Sequence, residues 1–169
     1  MSLPFTVRRA RTSDVPAIKT LIAPLAQERI LIAKETVAYY EALPEFRVAE
    51  DADGALLGCG ALHIMWEDLA EVRTLATSPP ARGTGVGHAL VEELLAGARD
   101  VGVSRVFCLT FEVDFFRRHG FSVMEDQSVV DPVIYSELLR SHDEGVAEFL
   151  DLARVKPNTL GNTRMIRRL

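Results

Sequence analysis

The sequence predicts an α+β fold with a mixed central sheet of six to seven strands flanked by helices, and three observations carry that prediction. Residues 45–77 hold short β-rich runs divided by turn signals, the mark of an antiparallel meander. Residues 69–110 then read strand, helix, strand, which implies a parallel pair joined by a right-handed crossover. Helical periodicity after the first strand, and again near the end, supplies flanking layers.

Phe5 to Arg9 reads as a short strand, and Thr12-Ser13-Asp14 offers caps before Val15, Ile18, Leu21, Ile22 and Leu25, which share one helical face. A first helix over about residues 14–27 follows from this. Ile30-Leu31-Ile32 is a linker, Lys34 and Glu35 open a second short helix through Tyr39 and Tyr40, and Pro44 closes it. Glu45 to Glu50, the turn Asp51-Ala52-Asp53-Gly54 and Ala55 to Trp66 make a hairpin. The next strand, Leu69 to Thr77, stops at Ser78-Pro79-Pro80 because proline cannot donate to the ladder. Arg105 to Thr110 is nearly all apolar, as suits a strand covered on both faces. Phe115 to His119 reads as a short helix ended by Gly120, with Phe121 opening a strand. Residues of about 132–152 carry a further helix, Val133 to Leu139 with an extension toward Leu150, and Thr163 to Arg168 a last strand. The 169 residues contain no repeat or internal linker, so one domain over 1–169 is expected.

Between the strand at 69–77 and the helix carrying Leu90, Leu94, Leu95 and Ala98 stands Arg82-Gly83-Thr84-Gly85-Val86-Gly87. The first turn of a helix has unpartnered N–H groups and a partial positive charge, and glycines let an anion approach that backbone. A phosphate fits there. A Walker loop would need Lys and then Ser or Thr after its last glycine, whereas His88 and Ala89 follow Gly87. A dinucleotide loop belongs after the first strand of a βαβ unit, and here hairpin strands come first.

Composition narrows the class. The chain is 48% hydrophobic with a net charge of −5 and a pI near 5.4, without a long Lys/Arg run. That argues against a general nucleic-acid or membrane-surface binder. No stretch reaches transmembrane length, the N-terminal residues do not read as a signal peptide, and a cytoplasmic protein is expected. Cys59 and Cys108 sit in apolar runs without metal-ligand spacing and should be reduced and buried. His63, His88, His119 and His142 are isolated in sequence, and no metal site is expected.

The Arg82-x-x-Gly85-x-Gly87 turn after a strand, the element order β-α-α-β-β-β-α-β-α-β, and Arg118-His119-Gly120-Phe121 after the fifth strand resemble the GNAT N-acetyltransferase superfamily. More narrowly, Val7 to Val15, Ile30-Leu31-Ile32, Glu71 to Pro79 and Phe107-Cys108-Leu109-Thr110 resemble the acetyltransferase domain of N-acetylglutamate synthases. The resemblance covers nearly the whole chain. It implies a GNAT fold and transfer of acetyl from acetyl-CoA, used without a metal, to the α-amino group of an amino acid. L-glutamate is the expected acceptor, in the first step of arginine biosynthesis. Dimerisation through the last strands or the hairpin is common in this architecture.

Residue by residue, the resemblance makes Glu71 the general base. Arg82, Gly83, Thr84, Gly85, Val86 and Gly87 would hold the pyrophosphate of acetyl-CoA, and Phe116 would stand beside the cofactor. Main-chain groups of Leu75, Ala76 and Thr77 would hold the pantetheine and polarise the thioester carbonyl. Lys34 would bind substrate where the family uses a basic residue, with Arg164 reaching the same pocket. Glutamate has two carboxylates, so at least two cationic partners are expected. Strand alternation puts Glu71, Arg73, Leu75 and Thr77 on one face unless a bulge intervenes, and leaves Arg73 either a substrate carboxylate or an ordinary ion pair. Many members carry a tyrosine in the fourth helix that protonates the thiolate, whereas Phe115-Phe116 has no hydroxyl, so the general acid is unassigned. Two readings compete with glutamate acetylation. One is another amine or a protein N-terminus as acceptor; the other is an acyl-CoA-binding module without turnover.

Overall fold

The computed structural model describes residues 4–28, 30–31, 34–124, 130–143, 146, 150 and 162–169. Strand β1 (Thr6–Arg9) leads through a 3-10 turn into α1 (Val15–Gln27) and α2 (Thr36–Glu41). The meander is β2 (Phe46–Glu50), β3 (Leu56–Trp66) and β4 (Leu69–Thr77), followed by α3 (Val86–Asp100) and β5 (Arg105–Thr110). The chain ends with α4 (Val113–Arg118), β6 (Ser122–Val123), α5 (Pro132–Leu138) and β7 (Thr163–Arg168).

Asp14 fixes where α1 begins. Its carboxylate accepts from the Arg11 amide at 2.6 Å and from both terminal nitrogens of Arg8 at 2.7 and 3.0 Å. Arg8 also reaches Glu50 at 2.7 Å, so the helix start is tied to the β1–β2 pair. Asp131 caps α5 by accepting from the amides of Val133 and Ile134. The helix expected through Leu139 and on toward Leu150 closes at Leu138; beyond it the Leu150 amide donates to Val146, while residues 144–145, 147–149 and 151–152 lie outside the described residues, as does Ile32 of the linker.

The seven strands form one sheet in the order β1-β2-β3-β4-β5-β7-β6. Every neighbouring pair is antiparallel except β4 and β5. Leu90, Val91, Leu94 and Leu95 of α3 cover one face, with Phe116 of α4 beside them. The opposite face carries two separate clusters. Val15, Ile18 and Ile22 of α1 pack with Tyr39 on β2 and β3, while Leu138 of α5 packs with Leu69 and Phe107. The strip between these clusters is where polar side chains gather.

Cys59 and Cys108 are 0% and 1% exposed, and burial pushes the Cys59 thiol up to about 12 and the Cys108 thiol well above its usual range. Both are free thiols. Neither should react with a chromogenic disulfide reagent in the native protein, and two equivalents should appear on denaturation. A fast equivalent in native protein would contradict this packing.

Candidate active site

Strands β4 and β5 pair only from Leu69↔Arg105 to Glu71↔Phe107, although both run on, so they part beside Glu71. A bulge in β4 follows at once. Cys59 faces Ala76 and Ala61 faces Arg73, so two β4 residues, Thr74 and Leu75, oppose Gly60 alone. Thr74 has φ 56°, the only positive φ outside glycine among the described residues. A β-branched residue there is a genuine backbone outlier, of the kind that collects at functional sites.

One extra residue reverses the side-chain parity beyond it. The expected grouping is therefore corrected. Glu71 and Arg73 do share a face, but Leu75 turns to the α3 side, where its side chain crowds Gly60 beside Leu94, and Ala76 joins the α1 cluster instead. The bulge also takes the backbone of Thr74 and Leu75 out of regular pairing with β3. Main-chain groups at a bulge leave the regular ladder, and the Thr74 carbonyl accepts from Cys59 Sγ at 3.5 Å.

A dense polar cluster surrounds Glu71, which is 4% exposed. His63 stands directly across the β3–β4 ladder from it, and His63 Nδ1 lies 2.7 Å from Glu45 Oε1. Arg73, with a 9% exposed side chain, grips Asp143 through two bonds of 2.6 and 2.9 Å and stands 3.6 Å from Glu45. Arg73 and His63 hold the Asp143 carboxyl well below the ordinary carboxylate range. Lys34, half-buried at the entrance to α2, feels Arg73, Asp143, Glu71 and Glu45; burial and then Arg73 lower its pKa while the three acids oppose them. Arg164 pairs with Leu109 across β5 and β7 and shares the sheet face of Phe107 and Ile166, the same face as Glu71.

The glycine turn is ready for an anion. Gly83 and Gly85 have φ of +75° and +93°, and Cβ atoms added there would meet nothing within 4 Å. Val86, Gly87 and His88 then open α3 with first-turn amides that no helical carbonyl can reach. The amides of Arg82 and Thr84 are instead used inside the turn, on the carbonyls of Pro79 and Ala81. Beside the turn a cleft of about 440 Å³ runs between α1 and the end of β4, lined by Thr20, Leu21, Pro24, Thr77, Pro79 and Arg82. These features fit an extended phosphate-bearing ligand such as acetyl-CoA. Phe116 is not at this surface: it packs in the core, edge-on to Phe115 and Phe121. Phe115 lies beside the turn, 3.5 Å from where a Cβ on Gly87 would sit.

The structure thus brings together Glu71, Arg73 and Lys34 and sets Arg164 on their face, while Thr77, Pro79 and Arg82 line the cleft beside the glycine turn. Three members of the cluster went unnoticed in the sequence. His63 could have been found by counting the hairpin register from Glu71. Glu45 and Asp143 carry no local signal, the latter lying 70 residues from Arg73. His88 and His119, isolated in sequence, meet in space at 3.3 Å between α3 and the end of α4.

A parallel strand pair that splays at a buried glutamate, followed by a bulge and a glycine turn at a helix N-terminus, defines an acetyltransferase of the GNAT type. A family model for the acetyltransferase (GNAT) family matches residues 17–121, and the chain belongs to that family. It is 56% identical over 162 residues to the amino-acid acetyltransferase of Mycobacterium tuberculosis, covering 95% of this chain and 92% of that one. The crystal structure of Rv2747 from the same organism, in complex with CoA and NLQ, superposes with a TM-score of 0.92 at 55% identity over 97% of this chain and 99% of that one. N-acetylglutamate synthase from Neisseria gonorrhoeae, solved with coenzyme A and N-acetyl-glutamate, superposes with a TM-score of 0.78 at 26% identity, over all of this chain and 36% of that one.

Proposed function

We propose that this chain acts as one domain that moves the acetyl group of acetyl-CoA onto the α-amino group of an amino acid, with L-glutamate as acceptor. That would be the first step of arginine biosynthesis, carried out in the cytoplasm. The observation that carries the reading is the buried Glu71 at the strand split, with Lys34 and Arg73 around it. The N-acetyl-glutamate in the Neisseria gonorrhoeae relative supports the choice of acceptor.

Acetyl-CoA supplies an activated acetyl thioester. Glu71 takes a proton from the acceptor ammonium, directly or through water, and frees the nitrogen lone pair to attack. As the new C–N bond forms, backbone N–H groups near Leu75 and Ala76 stabilise the carbonyl oxygen. The C–S bond then breaks, the nitrogen gives up its second proton to solvent, and solvent returns a proton to a thiolate that is already a good leaving group. Residues 82–87 hold the pyrophosphate, with Val86, Gly87 and His88 giving the open amides. Lys34 and Arg164 take the acceptor's carboxylates. Arg73 already holds a carboxylate, that of Asp143, so an acceptor carboxylate reaches it by exchange.

Arg73 is engaged by Asp143 and Glu45, which supports a second reading with an acceptor that has a single carboxylate, such as glutamine. Lys34→Ala separates these cases. Removing a charge-assisted contact should raise KM for glutamate about tenfold or more. If Lys34 binds the side-chain carboxylate, glutamine is spared; if it binds the α-carboxylate, both suffer equally. An unchanged KM for both removes Lys34 from the site.

A further inference from the structure

We propose that His88, His119 and Glu92 form a binding site for a divalent transition metal of the zinc type on the seam between α3 and α4. His88 and Glu92 stand four residues apart on α3, one turn from each other, and His119 closes α4. His88 Nδ1 lies 3.3 Å from His119 Nε2, and His119 Nδ1 lies 3.1 Å from Glu92 Oε1. One ligand atom from each of the three residues falls within 4.8 Å of the others.

These distances match metal ligation. Two imidazole nitrogens bound to one tetrahedral ion at about 2.0–2.1 Å lie roughly 3.4 Å apart, nearly the separation found here. Glu92 completes the pattern from the other side of the ring. A carboxylate accepting from His119 Nδ1–H fixes the tautomer that leaves Nε2 with a free lone pair, aimed at His88. His119 is also held in place: its side chain is 2% exposed, the Phe115 ring stands 4.8 Å away, and Arg167 donates to its carbonyl at 2.6 Å. His88 and Glu92 are exposed, which leaves the remaining coordination positions open to water.

The proposed acetyl transfer uses the main-chain amide of His88 but none of these three side chains, so the cluster can be tested by metal binding alone. Chelator-treated, dialysed protein is titrated with Co²⁺, followed by its visible absorption, and with Zn²⁺ by calorimetry. One equivalent should bind with a low-coordinate spectrum and raise the melting temperature, and Mg²⁺ should do neither. His88→Ala should weaken binding at least tenfold, and Glu92→Gln about 10- to 100-fold. Melting curves of the metal-free variants distinguish a lost ligand from a lost fold. Failure to bind one equivalent, or equal affinity in His88→Ala, would overturn the proposal and leave a hydrogen-bonded Glu–His–His chain.

Discussion

Glu71→Gln should lower acetyl transfer by about 10²–10⁴-fold, the range for loss of a general base, while the affinity for acetyl-CoA stays within about twofold. Glutamine keeps the size and shape of the side chain but cannot accept the ammonium proton at neutral pH. The position makes the split between rate and binding informative. Glu71 is the last β4 residue paired with β5, buried at the apex of the gap, whereas the glycine turn begins beyond the bulge and Ser78-Pro79-Pro80. The loss should therefore fall on kcat, with little change in acetyl-CoA KM. His63, directly across the ladder and bonded to Glu45, is a neighbour placed to take over part of the task. Full activity in Glu71→Gln would pass the base to the His63–Glu45 pair or to none.

Gly85→Val should have the second large effect, on cofactor affinity. A side chain at Gly85 meets nothing within 4 Å, so packing does not forbid it. Two other costs apply. At φ +93° a β-branched residue is strained by about 1–2 kcal/mol, and a side chain on this N-cap residue takes away the open backbone by which an anion approaches the first turn of α3. Losing one charge-assisted contact to the pyrophosphate costs about 1.5–3 kcal/mol, or about 10- to 150-fold in Kd for CoA. Gly54→Val is the matched control. It has φ +83° in the β2–β3 hairpin with nothing within 4 Å, so it carries the backbone strain without touching the turn. If both variants lose equal stability and only Gly85→Val loses CoA, the turn is an anion seat. If both keep CoA affinity, the turn serves only to connect β4 with α3.

Much of the fold was legible because its punctuation is strong. Strand β4 and strand β7 have the bounds read from the sequence, Leu69–Thr77 and Thr163–Arg168, the first because prolines end it sharply. The bulge was not legible. Its kinked residue is Thr74, a residue type that signals extended strand, and a positive φ there is imposed by the neighbouring strands rather than by local preference. From that single residue follows the misplacement of Leu75. Of the polar cluster, Lys34, Glu71 and Arg73 were singled out in the sequence, whereas Glu45, Asp143 and the pairing between them and Arg73 were not legible. Arg73 was open to a substrate or an acid, and only tertiary structure brings Asp143 to it. Phe115 and Phe116 are adjacent and chemically alike, and which of them faces the turn depends on how α4 rotates against β7 and Phe121.

The central claim is that this chain acetylates an amino acid. The most direct test is free-thiol release from acetyl-CoA by the purified protein, with glutamate and glutamine side by side and other amino acids and polyamines as comparisons. The account predicts thiol release that depends on the amino acid, with glutamate or glutamine far ahead of the polyamines and the N-acetylated amino acid recovered in equal amount. Acetyl-CoA binding without amino-acid-dependent thiol release, or preference for a polyamine, would contradict it.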